Sequence, residues 1–116
     1  MSLVEMLKKT RIACGANAMA IVSRDGVIIT ADLPDNMSKE TFSIMCATIM
    51  GAGMTAAHEL GRTPPAKVVM DSKDLRLFIV ESGRRAMIIA SLPPDSNSNA
   101  VLHELEDLAI RVASEV

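Results

Sequence analysis

The sequence predicts an α+β fold, an α/β sandwich. It is ordered helix-β-β-helix-β-β-β-helix, with a five-stranded, mostly antiparallel sheet and helices on both faces. Three observations carry this prediction. β-branched runs flank an Asp25-Gly26 turn, three further strand-like runs follow one another between residues 67 and 91, and helical periodicity appears at the start, middle and end of the chain. A sheet that can be apolar on both faces needs cover on both, and the helices supply it.

The elements follow in order. Leu3, Val4 and Leu7 share one helical face, with Glu5, Lys8 and Lys9 elsewhere, which predicts a short amphipathic helix closed near Gly15. Residues 16–23 and 27–31 read as a hairpin, because Asp tolerates and Gly favours the positive φ of a tight turn. Residues 32–36, Asp-Leu-Pro-Asp-Asn, break the sheet. Ser38 is a good N-cap, with Glu40 in the first turn and Met37 and Phe42 spaced as a hydrophobic staple. The helix it opens runs to Leu60, where Gly61 and then Pro64-Pro65 stop it; at ~1.5 Å per residue it is roughly 35 Å long. Strands are expected at 67–70, 75–80 and 86–91, each rich in Val, Ile and Leu. After a loop over 93–99, Val101, Leu105, Leu108, Ala109 and Val112 line one face of a last helix, with Glu104, Asp107 and Arg111 off it.

Composition bounds the function. A chain of 116 residues, 49% hydrophobic, fits one domain with a real core. The net charge of −2 is spread along the chain, leaving neither a basic patch for nucleic acid nor a polybasic membrane segment. Neither Phe lies in a basic stretch, which argues against base-stacking platforms. Cys14 and Cys46 form no C-x-x-C pair and sit among small apolar residues, as free thiols do in a reducing compartment. The first nine residues are interrupted by Glu5 and do not make a signal-peptide core. A cytoplasmic protein is expected.

The central helix is the informative feature. From Thr41 to His58 it carries no formal charge, counting His as neutral. One stripe holds Phe42, Met45, Ile49, Ala56 and Leu60; another holds Ile44, Thr48, Gly51, Met54 and Thr55. A helix covering one sheet shows one apolar stripe and a charged back, so this one must be covered on more than one side. Its length approaches the ~20 residues of a membrane span. However, Thr, Ser, Ala and Gly dominate it and no aromatic belt flanks it, so burial between the sheet and a partner is the stronger reading. Gly51-Ala52-Gly53 offers no bulk and would let two helix backbones approach closely; Met45, Met50 and Met54 are adaptable contact residues.

Motifs for chemistry fail one by one. His58-Glu59 begins a zinc-protease motif whose second His would fall at position 62, which is Arg62. His103 reads as a solvated polar-face residue, and Glu104 with Asp107 as a solvated face. Cys46 has no basic neighbour to activate it. Cys14, three residues after Arg11, is better explained by packing. No P-loop is present, and Gly51-Ala52-Gly53 lies inside a helix and not after a strand. Arg84 and Arg85 flank the last hairpin; an arginine supplied in trans speeds GTP hydrolysis, but a loop pair is ordinarily a solubility feature. No catalytic, metal or cofactor site is expected.

The order of elements resembles the Roadblock family, which includes dynein-associated light chains and regulators of bacterial polarity GTPases. The features that carry it are Gly15 before the first strand, Asp25-Gly26 between the first two strands, and the Ala/Gly/Met-rich long helix. The strand triplet from Lys67 to Ser91 and the Asn99-containing run-in to the last helix complete it. Longin and profilin-like domains share a related layout. The resemblance implies a pair of chains joined edge to edge through the first strand after the long helix, with the two long helices antiparallel on one side. Mapped here, the dimer contacts are Met45, Thr48, Ile49, Gly51, Ala52 and Thr55 on the helix, with Val68, Met70 and Ser72 on the strand. It also implies a non-catalytic homodimeric adaptor, pairing with itself or a paralogue. Such an adaptor binds a small Ras-like GTPase and scaffolds or modulates its nucleotide cycle. Two other functions fit parts of the sequence. A small-ligand sensory module of profilin/PAS-like layout ordinarily needs aromatic walls, and the chain has no Trp or Tyr. A thiol-dependent enzyme using Cys14 is the other.

Overall fold

A computed structural model describes residues 1–116. Helix α1 (Leu3–Cys14) is capped by Ser2, whose side chain accepts from the Glu5 amide, and closes on Gly15 in the left-handed region. Strands β1 (Ala18–Ser23) and β2 (Ile28–Asp32) form the expected hairpin. Helix α2 (Lys39–Glu59) begins at Ser38, which accepts from the Thr41 amide, and is followed by Gly61 at φ +66°. Strands β3 (Lys67–Asp71), β4 (Arg76–Ser82) and β5 (Ala86–Leu92) precede helix α3 (Ser98–Ala113).

The five strands form one sheet in the order β2-β1-β5-β4-β3. Every neighbouring pair is antiparallel, so the sheet is wholly and not mostly antiparallel. β1 and β5 lie in the middle, with Ala18 opposite Ser91 and Ser23 opposite Ala86; β2 and β3 are the edges.

The alternation of side chains splits the interior into two layers. Met19, Ile21, Phe78, Val80 and Ile88 face α1 and α3. Ala20, Val22, Ile79, Met87 and Ile89 face α2 through Cys46 and Met50. Phe78, Ile79, Ile88 and Ile89 are fully buried, and each such side chain contributes about 1.5–3 kcal/mol on burial. In α3 the stripe Val101, Leu105, Leu108, Ala109 and Val112 is buried as the periodicity requires. Its cap is Asn97, so Asn99, expected in the loop before the helix, lies in its first turn, and Glu104 is half-buried. In α1 the buried face is Met6, Leu7 and Thr10, while Val4 is exposed. The face is turned because α1 packs on α3 as well as on the sheet, and Met6 reaches that seam.

Candidate functional site

Helix α2 meets the sheet with its small and soft residues. Ser43, Cys46 and Met50 are buried, and Phe42, Ala47, Ile49, Gly53, Met54 and Ala57 are half-buried. Neither stripe traced in the sequence is this inward face. Phe42 and Ile49 of the first stripe turn inward and Met45, Ala56 and Leu60 outward; in the second, only Met54 is turned towards the sheet. Ser43 is tolerated inside because its hydroxyl donates to the Lys39 carbonyl at 2.8 Å.

One glycine lets α2 sit close to a neighbour, and a second marks the side that faces β3. A Cβ on Gly26, at φ +89°, would lie 2.8 Å from Cα of Ile44 and 3.2 Å from the Ser43 carbonyl. The β1–β2 turn is thus pressed against the backbone of α2, a requirement beyond the turn conformation itself. A Cβ on Gly53 would make ordinary contact with Pro65 and Val68, so Gly53 faces β3. Arg24 ties the neighbouring turns together, donating from Nη2 to Glu81 Oε2 and to the Gly83 carbonyl, both at 3.1 Å.

The outward face of α2 is Ile44, Met45, Thr48, Gly51, Ala52 and Thr55, all exposed. Ile44 and Met45 leave about half of themselves in solvent, at 48% and 49%. A Cβ on Gly51 would meet nothing within 4 Å. Thr48 donates its hydroxyl to the Ile44 carbonyl at 2.8 Å, so its methyl can be covered without stranding a polar group. Of the helix residues named from the sequence, Met45, Thr48, Gly51, Ala52 and Thr55 share this face, and Ile49 lies against the sheet.

Strand β3 borders the same face and is an open edge. Val68 and Met70 pair with Ile79 and Leu77 of β4, on the α2 side of the sheet; Ser72 lies just past the strand and donates its amide to the Leu75 carbonyl. Val68, Met70 and Ser72 are the residues expected at the strand edge, yet their backbone groups turn to β4. The Glu81 amide donates to the Ala66 carbonyl and the Ser72 amide to the Leu75 carbonyl, both at 2.9 Å. With the register between them, these bonds aim the backbone of alternate residues from Ala66 to Ser72 at β4. The N–H and C=O groups of Lys67, Val69 and Asp71 therefore point to the open side. Only register reveals this alternation, because the composition of the strand does not carry it.

The remaining candidates hold no reactive geometry. Burial pushes the Cys46 thiol up to about 11 and raises that of Cys14 as well, which keeps both protonated at neutral pH. His58, Arg84 and Arg85 are exposed, and His103 is exposed beside Asp107, 3.5 Å away. No three His, Cys, Asp or Glu side chains converge as metal ligands would. Three surface grooves of about 390, 390 and 450 Å³ have no aromatic wall. No helix is long and apolar enough to cross a membrane.

What distinguishes the molecule is an uncharged outward helix face beside an open strand. The match to the Roadblock/LC7 domain covers residues 3–91, from α1 through β5. An uncharacterized protein of Methanocaldococcus jannaschii, MJ0714, is 21% identical over 75 residues, 65% of this chain. The matched part is 64% of that protein's length. Gliding protein MglB from Thermus thermophilus superposes with a TM-score of 0.86 at 20% identity, covering 98% of this chain and 90% of MglB. A Roadblock/LC7 domain from Streptomyces avermitilis gives 0.90 at 14% identity, covering 99% and 98%. The domain match spans most of the fold, from α1 into β5: the chain belongs to the Roadblock/LC7 family.

Proposed function

We propose that the chain, as one domain over residues 1–116, is a cytoplasmic, non-catalytic homodimeric adaptor that binds a small Ras-like GTPase and scaffolds or modulates its nucleotide cycle. The observation that carries the reading is the outward face of α2. A 21-residue helix with no charge between Thr41 and His58 turns Ile44, Met45, Thr48, Gly51, Ala52 and Thr55 to solvent beside the open edge of β3. An apolar helix face and an open edge strand are each liabilities in a lone molecule, and a second copy covers both. The likeness to MglB, a gliding protein, supports the regulatory half. The raised thiols of Cys14 and Cys46 support a role that does not use them as nucleophiles.

Light scattering after size exclusion, at tens of micromolar, is expected to give twice the chain mass of 12.4 kDa. Nucleotide release and hydrolysis by a purified Ras-like GTPase from the same organism are then expected to change when the protein is titrated in. A monomer at that concentration would overturn the dimer, and a GTPase that neither binds nor responds would overturn the adaptor.

A further inference from the structure

We infer that β3 is charge-coded to pair with β3 of a second copy in one register, centred on Val69, so that each Lys67 faces the partner's Asp71. The inference rests on the dimer reading above and specifies how the edge chooses its partner.

Two independent features of the strand select this register. The first is backbone geometry. Lys67, Val69 and Asp71 present their N–H and C=O groups to the open side, as the bonds from Glu81 to Ala66 and from Ser72 to Leu75 require. A two-fold axis normal to the sheet makes the pairing antiparallel and places residue pairs of constant sum opposite each other. Centred on Val69, all three residues find an outward-pointing partner: Lys67 with Asp71, Val69 with Val69, Asp71 with Lys67. Centred on Val68, Asp71 would face Pro65, which has no N–H to give. Centred on Met70, Lys67 would face Lys73.

The second feature is charge. Lys67 makes no ion pair within its own chain. Asp71 accepts from Arg76 at 2.6 Å, and its side chain keeps 58% of its surface in solvent; a carboxylate has acceptor sites left for a second cation. Opposite charges at the two ends of a five-residue strand are self-complementary only when the strand is reversed about its middle. Between them Val69, 40% exposed, meets its own copy on the side of α1 and α3. On the other side Val68 meets the partner's Met70, 41% exposed, beside the outward face of α2. The edge thus prefers another copy of itself over a paralogue without this +/− order.

The test exchanges the code. In Lys67→Asp both ends are acidic, and in Asp71→Lys both are basic, so each homodimer carries two like-charged pairs. Sedimentation equilibrium is expected to show each single variant dimerising ~10–100-fold more weakly than the wild type. An equal mixture of the two is expected to recover near wild-type affinity as a heterodimer, and so is the Lys67→Asp/Asp71→Lys homodimer. A wild-type dimer with indifferent single variants, or a mixture no tighter than its components, overturns the register and leaves the dimer reading standing. A monomeric wild type overturns both. Because Asp71→Lys also removes the partner of Arg76, a neutral pair serves as the second arm. Val68→Cys and Met70→Cys are expected to form an intermolecular disulfide only when mixed, since directly opposed residues of this kind bring Cβ atoms within bridging distance. Self-linking of either alone, or no link in the mixture, overturns the register.

Discussion

Replacing Gly51 with Ala has opposite consequences for a lone chain and for a helix-paired dimer. In the chain itself the added Cβ meets nothing within 4 Å. Glycine inside a helix costs about 0.5–1 kcal/mol relative to alanine, so a free α2 should gain that amount. For a protein of this size the gain is a rise of roughly 2–4 °C in Tm. If the outward face packs on its partner, the methyl enters a close helix contact from both copies at once. Overpacking of that kind costs about 1–3 kcal/mol, or ~5–150-fold in Kd. Thermal melts at submicromolar and at tens-of-micromolar concentration separate the two. The expected result is a higher Tm for Gly51→Ala where the monomer dominates and a lower one where the dimer dominates. Gly51→Leu should exaggerate the loss. Unchanged dimerisation of Gly51→Leu would refute the placement of this face in the interface.

Other outcomes follow from the same geometry. Gly26→Ala should lose about 2–4 kcal/mol in urea denaturation, since strain at positive φ adds to a clash with the Ile44 backbone, whereas Gly61→Ala, at φ +66° in open space, should lose only about 1–2. Ser82→Ala removes the buried 2.6 Å bond to the Ala109 carbonyl that ties β4 to α3, and should cost about 1–3 kcal/mol by the same measurement. Alkylation of the native protein at pH 7 should be slow at Cys14 and absent at Cys46, whereas rapid labelling of Cys14 would revive a thiol enzyme. Because burial raises the folded-state pKa of Cys46, its contribution to stability is fully present below the unfolded thiol pKa. That contribution is lost as the pH rises through about 11, a loss that Cys46→Ala should not show.

Much of this architecture was legible from residue order, for stated reasons. The stripe of α3 is apolar on one side and charged on the other, and all five of its residues are inside. The Asp25-Gly26 turn, the Ser38 cap and the stop at Gly61 each follow from local backbone preferences, which do not depend on distant partners. Which way α2 faces could not be read, because a helix without charges offers no polar back to orient it. The sheet took Ser43, Cys46 and Met50, a polar residue among them, and left the apolar Ile44 and Met45 outside. The same limit explains the edge. The outward backbone groups of Lys67, Val69 and Asp71 depend on the register of β3 against β4, which emerges only from paired strands.

The strand order also has a consequence in time. β1 is almost wholly buried and must pair with β5, yet Ala18 waits for Ser91 and Ser23 for Ala86. As the chain leaves the ribosome, the first hairpin can close early, but its inner strand lacks its second neighbour until β5 has emerged. During that interval the run Ala18–Val22 is an uncovered apolar ribbon. Acquisition of the native sheet therefore waits on β5, and until that strand arrives the uncovered ribbon is open to misassembly.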